Sequence, residues 1–276
     1  SNNVATGYIA LLSNTTGSQN VATGANALQS NTTGGSNTAN GYQALFANTT
    51  GGNSVANGYR ALYSNTTGGS NTANGRSALQ SNTTGGNNTA NGREALYSNT
   101  IGAKNVANGY QALYNTTGYN NTATGYRAGD SITTGSNNTV IGYDADASSA
   151  TVSNEITLGN SSIATLRCQV TTITSLSDRR DKDNITDLGA GLNFVNELRP
   201  VAFDWNMRDG GKVGQADTGF IAQDLQAAQE ITGINIPDLV YAENPEKLEA
   251  GYGKLIPVLV KAIQELSAEV EALKSK

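Results

Sequence analysis

The chain has 276 residues, a formal charge of -5, 32 glycines, one cysteine and no histidine. Without histidine there is no Ser-His or Cys-His catalytic pair and no zinc site built on imidazole, and Cys168 alone makes neither an internal disulfide nor a cysteine-rich metal cluster. The acidic balance argues against general nucleic-acid binding, and no apolar run approaches the ~18 residues of a membrane span, so no cofactor, metal, nucleic acid or membrane insertion is expected.

The opening Ser-Asn-Asn, with no signal peptide behind it, reads as a piece of something longer. Residues 1–150 then repeat. Gly7, Gly24, Gly41, Gly58, Gly75, Gly92 and Gly109 recur every 17 residues, followed by Gly125 after 16 and Gly142 after 17. A second glycine series (Gly17, Gly34, Gly51, Gly68, Gly85, Gly102, Gly118, Gly135) keeps step. Self-similarity at this period specifies a stacked solenoid. Alanines recur two before each glycine (Ala22, Ala39, Ala56, Ala73) and three after it (Ala27, Ala44, Ala61, Ala78), with leucines four after (Leu28, Leu45, Leu62, Leu79). Glycine, Asn and Thr fill most other positions and disfavour helix. The expectation is a mainly β fold: a parallel β-roll or solenoid of nine ~17-residue coils, each with two short strands broken by glycine turns. At about 4.8 Å per coil the roll is roughly 40 Å long. A core of alanines buries little apolar area for its length, which favours several chains side by side.

The outward positions carry their own pattern. The Asn-Thr-Thr triplets match the N-glycosylation signature, but read more simply as turn chemistry, Asn tolerating left-handed backbone and Thr suiting strands. Tyr42, Tyr59, Arg76, Arg93, Tyr110, Tyr126 and Tyr143 follow the glycine directly, and Phe46, Tyr63, Tyr97 and Tyr114 stand five after it. Like-on-like stacking between coils or chains is the favoured reading. The alternative is a glycan-binding ladder contacted through Tyr42, Tyr59, Tyr110 and Tyr126. The repeat resembles the head domain of YadA-like trimeric adhesins, whose units carry a similar Ala-x-Gly-x-x-Ala core. The resemblance covers residues 1–150 and implies a left-handed parallel β-roll within a homotrimer, although the unit here is longer than the adhesin repeat.

After Gly142 the pattern decays. Residues 151–176, with Ile156, Leu158, Ile163, Leu166, Cys168, Val170 and Ile173 in rough alternation, read as a β neck and linker, Cys168 being a small core hydrophobe. The charged run from Ser177 to Ile185 reads by default as a solvated loop. Ser177 and Lys182 give it a sharper meaning, because a serine can be activated without histidine when a desolvated lysine is its general base. Spacing alone does not identify such a pair. Beyond it, 188–198 reads as helix, 201–205 as strand, 207–214 as turn, 219–229 as strand running into helix, and 239–241 as a short strand, making a small α+β unit. The final stretch, 254–276, holds heptads with Ile256, Ile263 and Val270 at a and Leu259, Leu266 and Leu273 at d, the pattern of a coiled coil.

Several of these motifs in order, Ser177-Asp178-Arg179-Arg180-x-Lys182-x-Asn184-Ile185, then Leu198 to Trp205, Gly219 to Asp224 and Tyr252 to Leu259, resemble the endosialidase-type intramolecular chaperone. That family stands at the C-terminus of phage tail fibres and related trimeric surface proteins. The resemblance implies that residues 177–276 template a homotrimer and then cut themselves off, a single-turnover serine endopeptidase. It places the nucleophile on Ser177 and its base on Lys182, with Ser177–Asp178 as the bond cut and Leu176–Ser177 as the alternative. Asp181 stands where the family often has an apolar residue. The implied setting is a virion tail fibre or a bacterial cell surface, with a host or prey cell-surface glycan as outside partner. The competing expectation is a permanent, non-cleaving trimerisation cap on a glycan- or lattice-binding solenoid.

Overall fold

A computed structural model describes residues 2–163, 165–167, 177–208, 212–242 and 244–276. It divides into two units, Ser1–Ile163 and Ala164–Lys276.

The first unit is a parallel β-solenoid. Its ten three-residue strands are β1 (Val4–Thr6), β2 (Val21–Thr23), β3 (Thr38–Asn40), β4 (Val55–Asn57), β5 (Thr72–Asn74), β6 (Thr89–Asn91), β7 (Val106–Asn108), β8 (Thr122–Thr124), β9 (Thr139–Ile141) and β10 (Ile156–Leu158). They form one sheet in sequence order, each pairing parallel with the next. The register puts the central alanine of one strand on that of its neighbour, as in Ala39 on Ala56. β10 continues this sheet from within the stretch read as a neck. Cys168, Val170 and Ile173 lie outside the described residues, while Ile163 and Leu166 are exposed.

Each coil has one strand, where two were expected. The opposite side is a run of turns with left-handed backbone at every second position, as at Gln43 (φ 56) and Leu45 (φ 51). Continuous strand dihedrals are impossible there. The backbone is satisfied nonetheless, because the left-handed residues send amides alternately to the coil before and the coil after. Gln43 N donates to Ala25 O and Leu45 N to Ala61 O, both at 3.0 Å. A leucine in the left-handed region costs roughly 1–2 kcal/mol. The leucines from Leu28 to Leu113 are fully buried, and such burial contributes about 1.5–3 kcal/mol each, enough to offset the strain. Ala39, Ala44 and Leu45, with their counterparts as far as Leu113 and with Ile132 and Val140 beyond it, make up the narrow core.

Two columns of buried asparagine reinforce it. Asn31, Asn48, Asn65 and Asn82, from the Asn-Thr-Thr triplets, and Asn99, from Asn-Thr-Ile, are fully buried and none has a positive φ. This corrects the turn reading of these residues. Asn65 Nδ2 donates to Gly68 O and to Asn48 Oδ1, both at 2.9 Å, and the same pair of bonds recurs coil after coil. Buried amides survive only when paired, and here the repeat supplies the partner one coil away. Burial also keeps the four that are sequons, Asn31, Asn48, Asn65 and Asn82, from any glycosyl donor in the folded chain. In the second column Asn37 Oδ1 accepts from Ser54 N, and Asn37 Nδ2 donates to Gly51 O. The strand-ending glycines permit the tight stack: at Gly41 (φ +139) a Cβ would lie 2.5 Å from the carbonyl oxygen of Gly58.

The second unit holds α1 (Leu192–Val195), the hairpin β11 (Val201–Asn206) and β12 (Val213–Gly219), α2 (Ala222–Thr232), the short pair β13 (Val240–Tyr241) and β14 (Glu249–Ala250), and α3 (Leu255–Lys274). The helix expected over 188–198 shrinks to one turn, since Gly189 and Gly191 disfavour helix at its start and Pro200 follows its end. Its first amides are held from elsewhere: Leu192 N donates to Glu265 Oε2 at 2.7 Å, a carboxylate from α3 at a helix start. Ala190, Phe194, Leu225, Ala228, Ile236, Leu239, Leu255 and Val258 form the core. Tyr252 fastens the end of β12 to the turn before α3, its hydroxyl accepting from Phe220 N at 3.1 Å and donating to Phe220 O at 2.9 Å.

Candidate functional site

Ser177 and Lys182 meet because a single 3-10 turn separates them. Asp178 caps this turn, Arg179–Asp181, its Oδ1 accepting from Arg180 N at 2.9 Å. Asp181 N donates to Asp178 O and Lys182 N to Arg179 O, each at 3.2 Å. A 3-10 turn closes in three residues, so the five-residue spacing folds back on itself. The Lys182 ammonium then donates to Ser177 Oγ at 2.6 Å. The contact is slightly shorter than the roughly 2.7–2.9 Å usual for a charge-assisted N–H···O hydrogen bond.

The Asp178 side chain is clamped by the Arg180 guanidinium, with Nη2 to Oδ2 at 2.6 Å and Nε to Oδ1 at 3.0 Å. That contact, with the Arg180 backbone amide second, holds the Asp178 carboxyl below its ordinary range. The clamp was not foreseen from the sequence, although an acid two residues before an arginine at the head of a turn is its visible signal. Among the described residues no ion pair joins Asp181 to Lys182. Ser177, Asp178, Arg180 and Lys182 are all exposed in the single chain. Leu176, on the far side of the alternative scissile bond, lies outside the described residues.

The heptad residues occupy one face of α3. Leu255, Val258 and Ala262 are buried, whereas Ile256, Leu259, Ile263, Leu266, Val270 and Leu273 are all exposed, from 41% at Val270 to 68% at Leu273. Six large apolar side chains in line along one helix make a stripe that the chain leaves unpartnered.

On the solenoid, Tyr42, Tyr59, Tyr110 and Tyr126 stand in a column. Tyr42 stacks on Tyr59 with ring centroids 5.4 Å apart, and Tyr126 lies between Tyr110 at 5.1 Å and Tyr143 at 5.2 Å. Arg76 and Arg93 continue the column, each guanidinium 5.6 Å from the centroid of the neighbouring ring, Tyr59 and Tyr110 respectively. Phe46 and Tyr63, and Tyr97 and Tyr114, stack likewise at 5.1 Å. The rings cover one another's faces and turn edges and hydroxyls outward, so a sugar that stacks on a free aromatic face finds few such faces along this column. Among the described residues no group of His, Cys, Asp and Glu is arranged to hold a metal ion, and no helix is long and apolar enough to cross a membrane.

No curated protein and no solved structure matches the chain. A family does match part of it: residues 177–241 correspond to the family described as chaperone of endosialidase, a match that begins at Ser177 and ends at the close of β13. The chain therefore joins a parallel β-solenoid to a segment similar to the endosialidase-chaperone family over residues 177–241.

Proposed function

We propose that the chain is a segment of a homotrimeric adhesive fibre, on a phage tail or a bacterial surface, whose C-terminal region templates trimer folding and then releases itself by Ser177/Lys182 autoproteolysis. The observation that carries this reading is the coincidence of the family match, starting at Ser177, with the 2.6 Å Lys182–Ser177 hydrogen bond. In the proposed chemistry neutral Lys182 takes the Ser177 hydroxyl proton as Oγ attacks a neighbouring peptide carbonyl. The peptide C–N bond breaks, the amine departs with the proton from Lys182, and water hydrolyses the ester left on Oγ. Ser177–Asp178 is the preferred bond and Leu176–Ser177 the alternative. A lysine works as base only where it is desolvated. Both partners are exposed in the single chain, so neighbouring copies have to supply the burial, which ties cutting to assembly.

Trimer formation draws support from two surfaces. One is the unpartnered heptad stripe of α3. The other is the strand face of the solenoid, on which none of the ten strands carries a charged residue. Around a rotation axis parallel to the solenoid, each residue near the axis meets its own copies. A charge there is repeated against itself, so only a charge-free face suits that position. The same face ends in exposed Ile141, Ile156 and Leu158. The adhesin-head resemblance of residues 1–150, and a cell-surface glycan as outside partner, belong to this proposal.

Wild-type protein is expected to release a C-terminal fragment of about a hundred residues, the length counted from Ser177. Ser177→Ala or Lys182→Ala is expected to leave one intact band on a denaturing gel, and efficient cutting in either variant refutes the dyad. A second reading, the permanent trimerisation cap, is favoured by the exposure of both residues. Mass spectrometry of the wild type separates the two, since a cap yields only full-length chain.

A further inference from the structure

Five coils place asparagine directly before the strand-ending glycine: Asn40-Gly41, Asn57-Gly58, Asn74-Gly75, Asn91-Gly92 and Asn108-Gly109. This dipeptide is chemically fragile, because the glycine nitrogen is unhindered by any side chain. It attacks the asparagine Cγ, and the new N–Cγ bond closes a succinimide as the carboxamide C–N bond breaks and ammonia leaves. Water then opens the ring to aspartate or isoaspartate. The solenoid has no freedom to discard the glycine, since its column has φ between 138 and 145 from Gly58 to Gly109 and no space for a Cβ.

Both reacting groups are tied down. The nitrogens of Gly41, Gly58, Gly75, Gly92 and Gly109 donate to the carbonyls of Thr23, Asn40, Asn57, Asn74 and Asn91, every bond 2.8 Å long. The side chains form a ladder of their own: Asn40 Nδ2 donates to Asn57 Oδ1 at 2.9 Å, Asn57 to Asn74 at 2.8 Å, Asn74 to Asn91 at 2.8 Å and Asn91 to Asn108 at 2.9 Å. Ring closure requires the carboxamide to swing out of this ladder and the glycine amide to leave its carbonyl. The ladder stops at both ends, because Thr23 precedes it in register and Thr124 follows it. Asn57, Asn74 and Asn91 are each held by two ladder bonds, whereas Asn40 and Asn108 are held by one.

We propose that these five pairs are latent deamidation sites that the solenoid holds shut, and that they open in the order of their ladder bonds, Asn40 and Asn108 ahead of the three between them. A chain that lingers unfolded accumulates lesions that the folded one escapes. Each lesion sets a carboxylate into a column where the next lesion lies one coil away, about 4.8 Å, so repeated damage stacks like charges.

The test is peptide mapping of isoaspartate in the full chain, incubated in mildly alkaline buffer with and without guanidinium. In the folded chain Asn57, Asn74 and Asn91 are expected to convert at least about tenfold more slowly than in the denatured chain, equivalent to an opening free energy of about 1.4 kcal/mol. Asn40 and Asn108 are expected to convert faster than those three. Thr124→Asn extends the ladder by one rung; it is expected to slow Asn108 and to move the fast site to the substituted position. Equal rates in folded and denatured chain overturn the proposal, as do interior sites that age as fast as the ends.

Discussion

Asn99 is the one buried side chain among the described residues whose amide oxygen finds no donor. The cause lies one coil on. Each triplet asparagine donates back to the Oδ1 of its predecessor, but opposite Asn99 the shortened coil between Gly109 and Gly125 puts Thr116. A buried acceptor without a partner costs about 1–3 kcal/mol, so Thr116→Asn is expected to stabilise the solenoid by about 1 kcal/mol, read as a higher urea midpoint with an unchanged slope. Asp146 is a second weak point. It stands where the repeat places a leucine, and burial, first among the causes, raises its pKa above the ordinary carboxylate value. The folded state thus holds this proton more tightly than the unfolded state. Its charge burdens the fold at neutral pH, and the burden is lifted as pH falls through the raised value. Asp146→Asn is expected to raise the melting temperature at neutral pH, with the gain shrinking on acidification. These two residues mark what was legible. The glycine spacing announced that one coil was short, and Gly129 and Asp146 at the leucine position announced that the leucine column ended. That Asn99 would be orphaned was hidden, because the triplet asparagines looked like turn formers, and only the folded coil turns their amides inward.

At the level of elements, α3 does two jobs with two faces. Leu255 and Val258 enter the core of its unit, Ala262 is buried beside them in sequence, and six apolar residues are exposed. Because Ile263 is 67% exposed in the single chain, Ile263→Asp is expected to change the intrinsic stability of the unit by only about 0.5 kcal/mol. If the stripe packs against other copies, the same change abolishes association. Sedimentation velocity and far-UV circular dichroism together check this, the expected result being retained helix and lost trimer. The heptads were readable because 3.5-residue periodicity is a property of the sequence alone. The second strand of each coil was misread for an equally specific reason. A short apolar run such as Ala44-Leu45-Phe46 fits a strand as well as it fits this turn, and nothing in a leucine advertises a left-handed backbone. Ser177 and Lys182 were legible through the order of the motifs around them. The 3-10 turn and the Arg180 clamp that draw them together were not.

The solenoid depends on contacts between consecutive coils, since every one of its strands pairs only with the one before and the one after. In such an array stability is close to a sum over units and their shared faces, and no distant residue holds the ends together. Excision of residues 59–75, one full period, is therefore expected to leave a cooperatively melting protein, with its melting temperature shifted by no more than about 2–4 °C, the change that about 1 kcal/mol produces in a domain of this size. Excision of half that length sets strand against turn in every later coil and is expected to abolish the transition. Calorimetry distinguishes the two. A body built this way behaves as a ruler with interchangeable divisions. Its reach can be lengthened or trimmed by whole increments while the unit that follows it in sequence stays untouched, so variation in span becomes the cheapest kind of change open to a lineage that carries it.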